Sequence, residues 1–324
     1  MSFLSEGIDA DYIIGELVRR GFEVRKDSFS ELPSKGVAGK VYMAESDRGK
    51  IIIHIKGFFE EQFIQKVNEK IYEVSKVLEK YPDIPTARVF LAGTLPNGKL
   101  YTVQEYIEGK PLGERIFKES DEGQDIADII FPGYELLARD AQRFLGKFHE
   151  IKISGYGFLT VKDGFLRGEY EDWMGFLRSG SEIWCDNVYR AVEKNQRIKG
   201  KLKQFFEKYQ NHLQYANGRF LTGDITNPGN ILVRDGRIVA LIDFEWAASG
   251  DPAWEFAFVD KEDIRHYYEY FEQQGKPLDR EEFELRRKLY RVPWLLWATN
   301  VWLGKSFEEY LRNAFEKDLE ILVN

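Results

Sequence analysis

The chain carries a single cysteine, Cys185, in 324 residues. That rules out an intramolecular disulfide and any metal centre built from several cysteines. Histidine is also scarce: His54, His149, His212 and His266 have no partners three or four residues away, so the helical pair of a zinc hydrolase is missing. No stretch approaches the roughly 18 apolar residues of a membrane span. The opening MSFLSEGIDADYIIGELVRRGFEV lacks a basic flank followed by an apolar run. A cytoplasmic, reducing location is therefore expected, with no membrane partner. Acidic and basic residues are interleaved, the net charge is −8 and there is no long basic tract, so nucleic acid is not an expected partner either. Internal repeats and low-complexity segments are absent.

The hydrophobic content is 43%, enough for a sizeable core. After a short amphipathic helix (Asp11 to Arg20), the chain to about residue 108 reads as an antiparallel sheet with one long helix. KVYMAES and KIIIHIKGF are β-rich runs joined at Asp47-Arg48-Gly49, and a helix is expected from about Glu60 to Lys80. TARVFLAG and LYTVQEYI form a second hairpin around Pro96-Asn97-Gly98. EGKPL, Glu108 to Leu112, marks the expected boundary between a lobe at 1–108 and a mainly helical lobe at 109–324. In the second lobe, Leu137, Ala141, Phe144, Leu145 and Phe148 make an amphipathic stripe. Glu193–Gln214 and Asp279–Val323 also read as helical, with one β-hairpin between them.

That hairpin lies in FLTGDITNPGNILVRDGRIVALIDFE, Phe220 to Glu245. Asp235-Gly236 is a two-residue turn. A regular ladder from it sets Arg234 opposite Arg237 and Asn230 opposite Leu241, and makes Asp243 a same-face diagonal neighbour of Asn230. A carboxylate and an amide oxygen are hard donors that suit Mg²⁺. Asp224, just upstream, is placed to accept a proton from a hydroxyl attacking a metal-bound γ-phosphate. Taken singly, Asp224 and Asn227 are ordinary turn formers. Their joint placement around a hairpin end points to chemistry.

GDITNPGNILV followed by GRIVALIDFEWAASGDPAWEFA resembles the aminoglycoside phosphotransferase and choline kinase-like family. The family pattern is His-Gly-Asp, then Asn, then Ile-Asp-(Phe or Trp)-Glu and Gly-Asp-Pro. FLGKFHEIKISGYGF, Phe144 to Phe158, resembles the family helix that ends in Leu-x-x-x-His. The resemblance implies an α+β, bilobal, protein-kinase-like fold with a small antiparallel-sheet lobe and a larger helical one. It also implies transfer of the γ-phosphate of ATP or GTP to a hydroxyl of a small-molecule acceptor. Asp224 takes the position of the catalytic base, and Asn230 and Asp243 those of the Mg²⁺ ligands. There are two departures: Thr222 stands where the family has histidine, and Asn230 follows Asp224 by six residues where five is usual. Hairpin geometry favours Asn230 over Asn227 as ligand, with the extra residue absorbed as a bulge around 226–228.

The resemblance also assigns the nucleotide side. Lys56 shares a strand face with His54 and would reach the α- and β-phosphates, held by a glutamate of the following helix, Glu69 ahead of Glu73. The alternative is a lysine snorkelling from an edge strand. Gly36 and Gly39 in PSKGVAGKVY suit a loop over phosphates. Glu105 and Ile107 in TVQEYIEG would offer backbone groups to a base edge, without distinguishing adenine from guanine. Six acids between Glu245 and Asp263 against one basic residue, Lys261, either attract a cationic acceptor such as an aminoglycoside or amino alcohol, or form a solvated face. A non-catalytic nucleotide-binding protein with a regulatory role is the competing function, favoured by Thr222 and the lengthened loop. The sequence assigns no oligomeric state.

Overall fold

The computed structural model describes residues 10–32, 39–56, 61–112, 135–224, 228–257, 264–305 and 307–324. It resolves into two compact units. The first comprises 1–115, 160–166 and 227–245, and the second 116–159, 167–226 and 246–324.

In the first unit a five-stranded antiparallel sheet has the order β1-β2-β3-β5-β4. Its strands are β1 Val24–Leu32, β2 Gly39–Ser46, β3 Gly49–Lys56, β4 Val89–Thr94 and β5 Leu100–Glu105. The β2–β3 turn closes with Ser46 opposite Gly49, whose φ of 94° needs glycine. Alternation in β3 sorts as expected: Ile51, Ile53 and Ile55 are buried and join Leu91, Tyr101 and Val103 in one core. Helix α1, Ala10–Arg19, adds Ile13 and Leu17 to that core. Helix α2, Glu61–Leu78, packs on β4, where Ser75 Oγ accepts from the Val89 amide at 2.8 Å. Strand β1 was not expected. Its sequence, VRKDSFSEL, is mostly polar and pairs with β2 through an irregular register, so period-two alternation never develops.

The hairpin singled out in the sequence also belongs to this unit, as β10 Ile231–Arg234 and β11 Arg237–Leu241, with β6 Lys110–Pro111 on the far side of β10. Asp235 and Gly236 have φ of 52° and 70°, the paired left-handed geometry of a type I′ turn. The regular register is corrected beyond that turn. Arg234 and Val233 oppose Arg237 and Ile238, but Leu232 opposes Ala240 and Ile231 opposes Leu241. Val239 is therefore a bulge. Asn230 meets Ile242 rather than Leu241, through the Ile242 amide at 2.9 Å. A one-residue slip exchanges the faces of a strand, so the alternation argument for Asn230 and Asp243 no longer holds.

The second unit is mainly helical. Its helices are α3 Glu135–Glu150, α4 Trp173–Val188, α5 Val192–Lys208, α6 Gln210–Leu213, α7 Arg265–Gln273, α8 Arg280–Val301 and α9 Glu308–Val323. The terminal helical run thus divides around Gly304, at φ 73°. A four-stranded sheet of order β8-β7-β12-β9 runs through β7 Tyr156–Lys162, β8 Phe165–Tyr170, β9 Arg219–Leu221 and β12 Ala248–Gly250, the β7–β8 tip at 160–166 being counted with the first unit. A hairpin that the mainly helical reading of this lobe did not include lies between α3 and α4. Asp163-Gly164, at φ 54° and 78°, makes a second type I′ turn between β7 and β8. Among the described residues no helix is long and apolar enough to cross a membrane.

Candidate active site

Strand β9 delivers the first part of the opening motif. Phe220 and Leu221 are fully buried and anchor the strand end, so the chain leaves the sheet at Thr222-Gly223-Asp224 from a fixed point. Thr222 is 1% exposed, and its hydroxyl donates to Glu255 Oε1. The Gly223 amide donates to the same oxygen at 2.8 Å. The other carboxylate oxygen, Oε2, accepts from His149 Nε2 at 2.7 Å, and His149 Nδ1 lies 2.7 Å from the Tyr267 hydroxyl. An ionised carboxylate only accepts, so Nε2 carries hydrogen, and in the neutral ring Nδ1 accepts from Tyr267. Burial pushes the Glu255 carboxyl upward, but the hydrogen bonds it accepts from His149 and Thr222 outweigh it and hold the group below the usual range. The same burial, with nearby acids, raises the Tyr267 phenol well above its ordinary value.

Sequence reasoning missed this clamp. It noted Thr222 as a departure and His149 as the end of a family-like helix, but their common partner Glu255 stands 33 and 106 residues away. The hydroxyl of Thr222 supplies a donor at the position where the resemblance calls for histidine.

Two of the six acids expected to attract a cationic acceptor or to face solvent do neither. Glu255 is the buried clamp. Asp251 is fully buried, accepting from Arg286 Nε at 2.6 Å, the Tyr290 hydroxyl at 2.8 Å and the Ala253 amide at 3.0 Å. Asp260, Glu262 and Asp263 lie outside the described residues.

Gly223 adopts φ 86°, and a Cβ placed there would meet the Trp246 carbonyl oxygen at 2.2 Å and the Trp246 Cβ at 2.8 Å. Trp246 thus sits against the residue preceding Asp224, and Asp224 itself is partly exposed. The Trp246 ring opens a half-buried aromatic cluster with Phe158 at 5.9 Å and Trp297 at 5.4 Å between centroids, and Trp297 continues to Trp294 at 5.4 Å. The sequence could not separate these tryptophans from core ones.

In the first unit, Asn230 ends a 3₁₀ turn, Pro228–Asn230, and is 8% exposed. Asp243 is exposed and left-handed at φ 68°. The other left-handed non-glycine residues, Asp163 and Asp235, are each followed by glycine in a two-residue turn. Asp243 is followed by Phe244, so its left-handed backbone is held outside such a turn. Downstream, the Glu245 carbonyl accepts from Lys70 Nζ on α2. The donors fit a hard cation: an amide side chain on a braced turn and an exposed carboxylate on a fixed loop. Asn227 lies outside the described residues.

On the nucleotide side, the Lys56 backbone closes β3 opposite Leu100, while its side chain lies outside the described residues, as does Gly36. Gly39 opens β2. On α2, Glu69 is exposed, Lys70 is 4% exposed and Glu73 is paired with Lys76 at 2.7 Å. The Glu105 amide is committed to the Arg88 carbonyl at 2.8 Å, so only its carbonyl can serve a base. Ile107 follows β5 in irregular backbone, and among the described residues no hydrogen bond occupies its amide. It borders an open cleft of about 620 Å³ together with Tyr106 and Val239.

With this geometry in hand, three solved structures are informative. The chain is similar to a thermostable mutant of aminoglycoside phosphotransferase APH(4)-Ia in ternary complex with AMP-PNP and hygromycin B: TM-score 0.60, 16% identity, 96% of this chain and 97% of that one. It is similar to choline kinase LicA from Streptococcus pneumoniae, with TM-score 0.59, 17% identity and coverage of 96% and 98%. The macrolide 2′-phosphotransferase MphH from Brachybacterium faecium, as apoenzyme, matches at TM-score 0.55, 14% identity and coverage of 95% and 98%. At these identities the likeness establishes the protein-kinase-like fold. No protein of curated function matches in sequence. The profile of the phosphotransferase enzyme family, however, matches residues 65–280, which span the Thr222–Asp224 loop, the hairpin, the left-handed aspartate and the buried glutamate. The chain belongs to the phosphotransferase enzyme family.

Proposed function

We propose that this protein is a small-molecule kinase that transfers the γ-phosphate of ATP or GTP to an acceptor hydroxyl. The observation that carries the reading is the Glu255 clamp: one buried carboxylate takes both the Thr222 hydroxyl and the Gly223 amide, fixing the two residues before Asp224. A partly exposed carboxylate on such a rigid support suits a general base. In this reading Asp224 accepts the hydroxyl proton as the acceptor oxygen bonds to the γ-phosphorus. The bond from that phosphorus to the β-bridging oxygen breaks, and the nucleoside diphosphate leaves.

Asn230 and Asp243 hold Mg²⁺, which when bound supplies neutralisation of charge on the phosphates. Lys56 is assigned to the α- and β-phosphates. Glu69 is preferred as its helix partner because Glu73 is already paired with Lys76. The Glu105 carbonyl and the Ile107 amide are assigned to the base edge. The acceptor lies on the Asp224 side, and it is a small molecule bearing an alcohol. The ligands of the similar APH(4)-Ia ternary complex, AMP-PNP and hygromycin B, are in keeping with a nucleotide donor and a polyhydroxylated acceptor. Thr222, which favoured a non-catalytic role, has an internal explanation as a donor to Glu255.

Asp224→Asn tests the reading. Transfer to a panel of amino alcohols, aminoglycosides and neutral sugars should fall by about 10² to 10⁴, the range for a lost general base, while nucleotide affinity by calorimetry stays near wild type. Turnover close to wild type in the variant would remove the base assignment.

A further inference from the structure

Among the described side chains of α2, Lys70 is the buried charged one. It is 4% exposed, as are Val74 and Leu78 at 1% and 2% on the same helix face, whereas neighbouring Glu69 is exposed. A buried ammonium is costly unless it is hydrogen-bonded, and a leucine or methionine would fill the same space without that cost. What the lysine adds is a charged donor, and that donor reaches a backbone carbonyl, Glu245 O, two residues past the left-handed Asp243. On its other side α2 is tied to β4 through Ser75 and the Val89 amide. The helix thus bridges the sheet and the loop that carries Asp243.

We propose that Lys70 is a positioning residue for the divalent cation. Its ammonium fastens the Asp243–Glu245 segment to α2 and holds the Asp243 carboxylate in a ligating attitude. This rests on the reading of Asp243 as a metal ligand. A left-handed φ is less favourable for a residue bearing a side chain, and a carbonyl fixed two residues downstream helps to keep the Asp243 backbone in that conformation. Groups that orient metal ligands without touching the metal carry about 10- to 100-fold of metal affinity, and one charged hydrogen bond to the loop backbone belongs at the lower end.

The experiment is calorimetric titration of AMP-PNP and of GMP-PNP into the full chain at rising Mg²⁺. The wild type comes first, then Lys70→Met and Lys70→Arg, with melting temperatures for all three. The expected result is that Lys70→Met needs about tenfold more Mg²⁺ for half-maximal nucleotide binding, as a lost outer-shell support would require. Its melting temperature should stay near wild type, because methionine fills the site, and Lys70→Arg, which keeps a charged donor, should fall closer to wild type. If Lys70→Met fails to fold, Lys70→Gln replaces it in the same titration. An unchanged Mg²⁺ requirement in Lys70→Met would overturn the proposal, as would equal impairment of both variants with both melting temperatures lowered. Mg²⁺-independent binding of both nucleotides by the wild type would instead overturn the metal reading itself, and is visible before any variant is made.

Discussion

Gly223 tolerates no side chain, for two independent reasons. Its φ of 86° costs a non-glycine residue on the order of 1–3 kcal/mol. A Cβ would also fall 2.2 Å from the Trp246 carbonyl oxygen, an atom of a packed backbone that cannot swing away. Gly223→Ala must therefore move the loop, and Asp224 with it. Displacement of about 1 Å at a catalytic group costs around 100-fold in rate, so kcat should fall by at least that while nucleotide affinity is kept. Steady-state kinetics beside a nucleotide titration would show the split, and equal losses in both would mean a general collapse. At this scale the sequence was partly legible. Asp224 was visible through its motif, but the need for glycine before it arises from a tryptophan 23 positions later. Cys185 is inert for a similar reason of context, since burial pushes its thiol up to about 11.

The hairpin is the instructive element. Its turn could be read from Asp235-Gly236 alone, because both residues must adopt positive φ and few other pairs do so readily. Its register could not, because the Val239 bulge depends on what the strand packs against. Leu241 is held from outside the hairpin, by the Pro85 carbonyl at 2.8 Å and a bridge to Thr86. The extra residue expected near 226–228 falls almost wholly outside the described residues, and the Val239 bulge is a separate irregularity, in the returning strand. Deleting Val239 would regularise the ladder but pull one flank by about 3.3 Å, the rise of one strand residue. Either the turn or the Asp243 loop must slip. The expected outcome is a folded protein, by circular dichroism, with a raised Mg²⁺ requirement for nucleotide binding. Wild-type metal dependence in the deletion would show that the bulge is dispensable. The Asp163-Gly164 turn carried the same local signal and was passed over within a helical stretch, while β1, polar along most of its length, gave no alternation to read.

For the whole molecule, acid stability should follow the buried carboxylate of Glu255. Its folded-state pKa lies below the ordinary value of 4.5, so ionised Glu255 contributes stability that is fully present above about 4.5. That contribution is lost as pH falls through the depressed folded value, because the unfolded chain then binds the extra proton. Denaturant titrations between pH 7 and 3 should show the wild type losing stability below 4.5. Glu255→Gln, which cannot take up that proton, should begin less stable at pH 7 and change less over the acid range. Parallel curves for the two proteins would mean other carboxylates dominate. The α+β class and kinase-like fold were legible in advance because motif spacing survives at low identity. The clamp was not, because its members come from α3, the end of β9 and the segment after β12.

One further property belongs to the aromatic cluster beside Gly223. The rings of Trp246 and Trp297 lie 5.4 Å apart at an interplanar angle of 77°, half-buried, in a chain with seven tryptophans. Indoles this close share their electronic excitations, and the sign and size of the resulting circular dichroism depend on the angle between them. Any molecule that settles against Trp246 and tilts one ring will change that spectrum. The protein therefore carries its own optical gauge of occupancy next to Asp224, readable without a label, a phosphate donor or turnover.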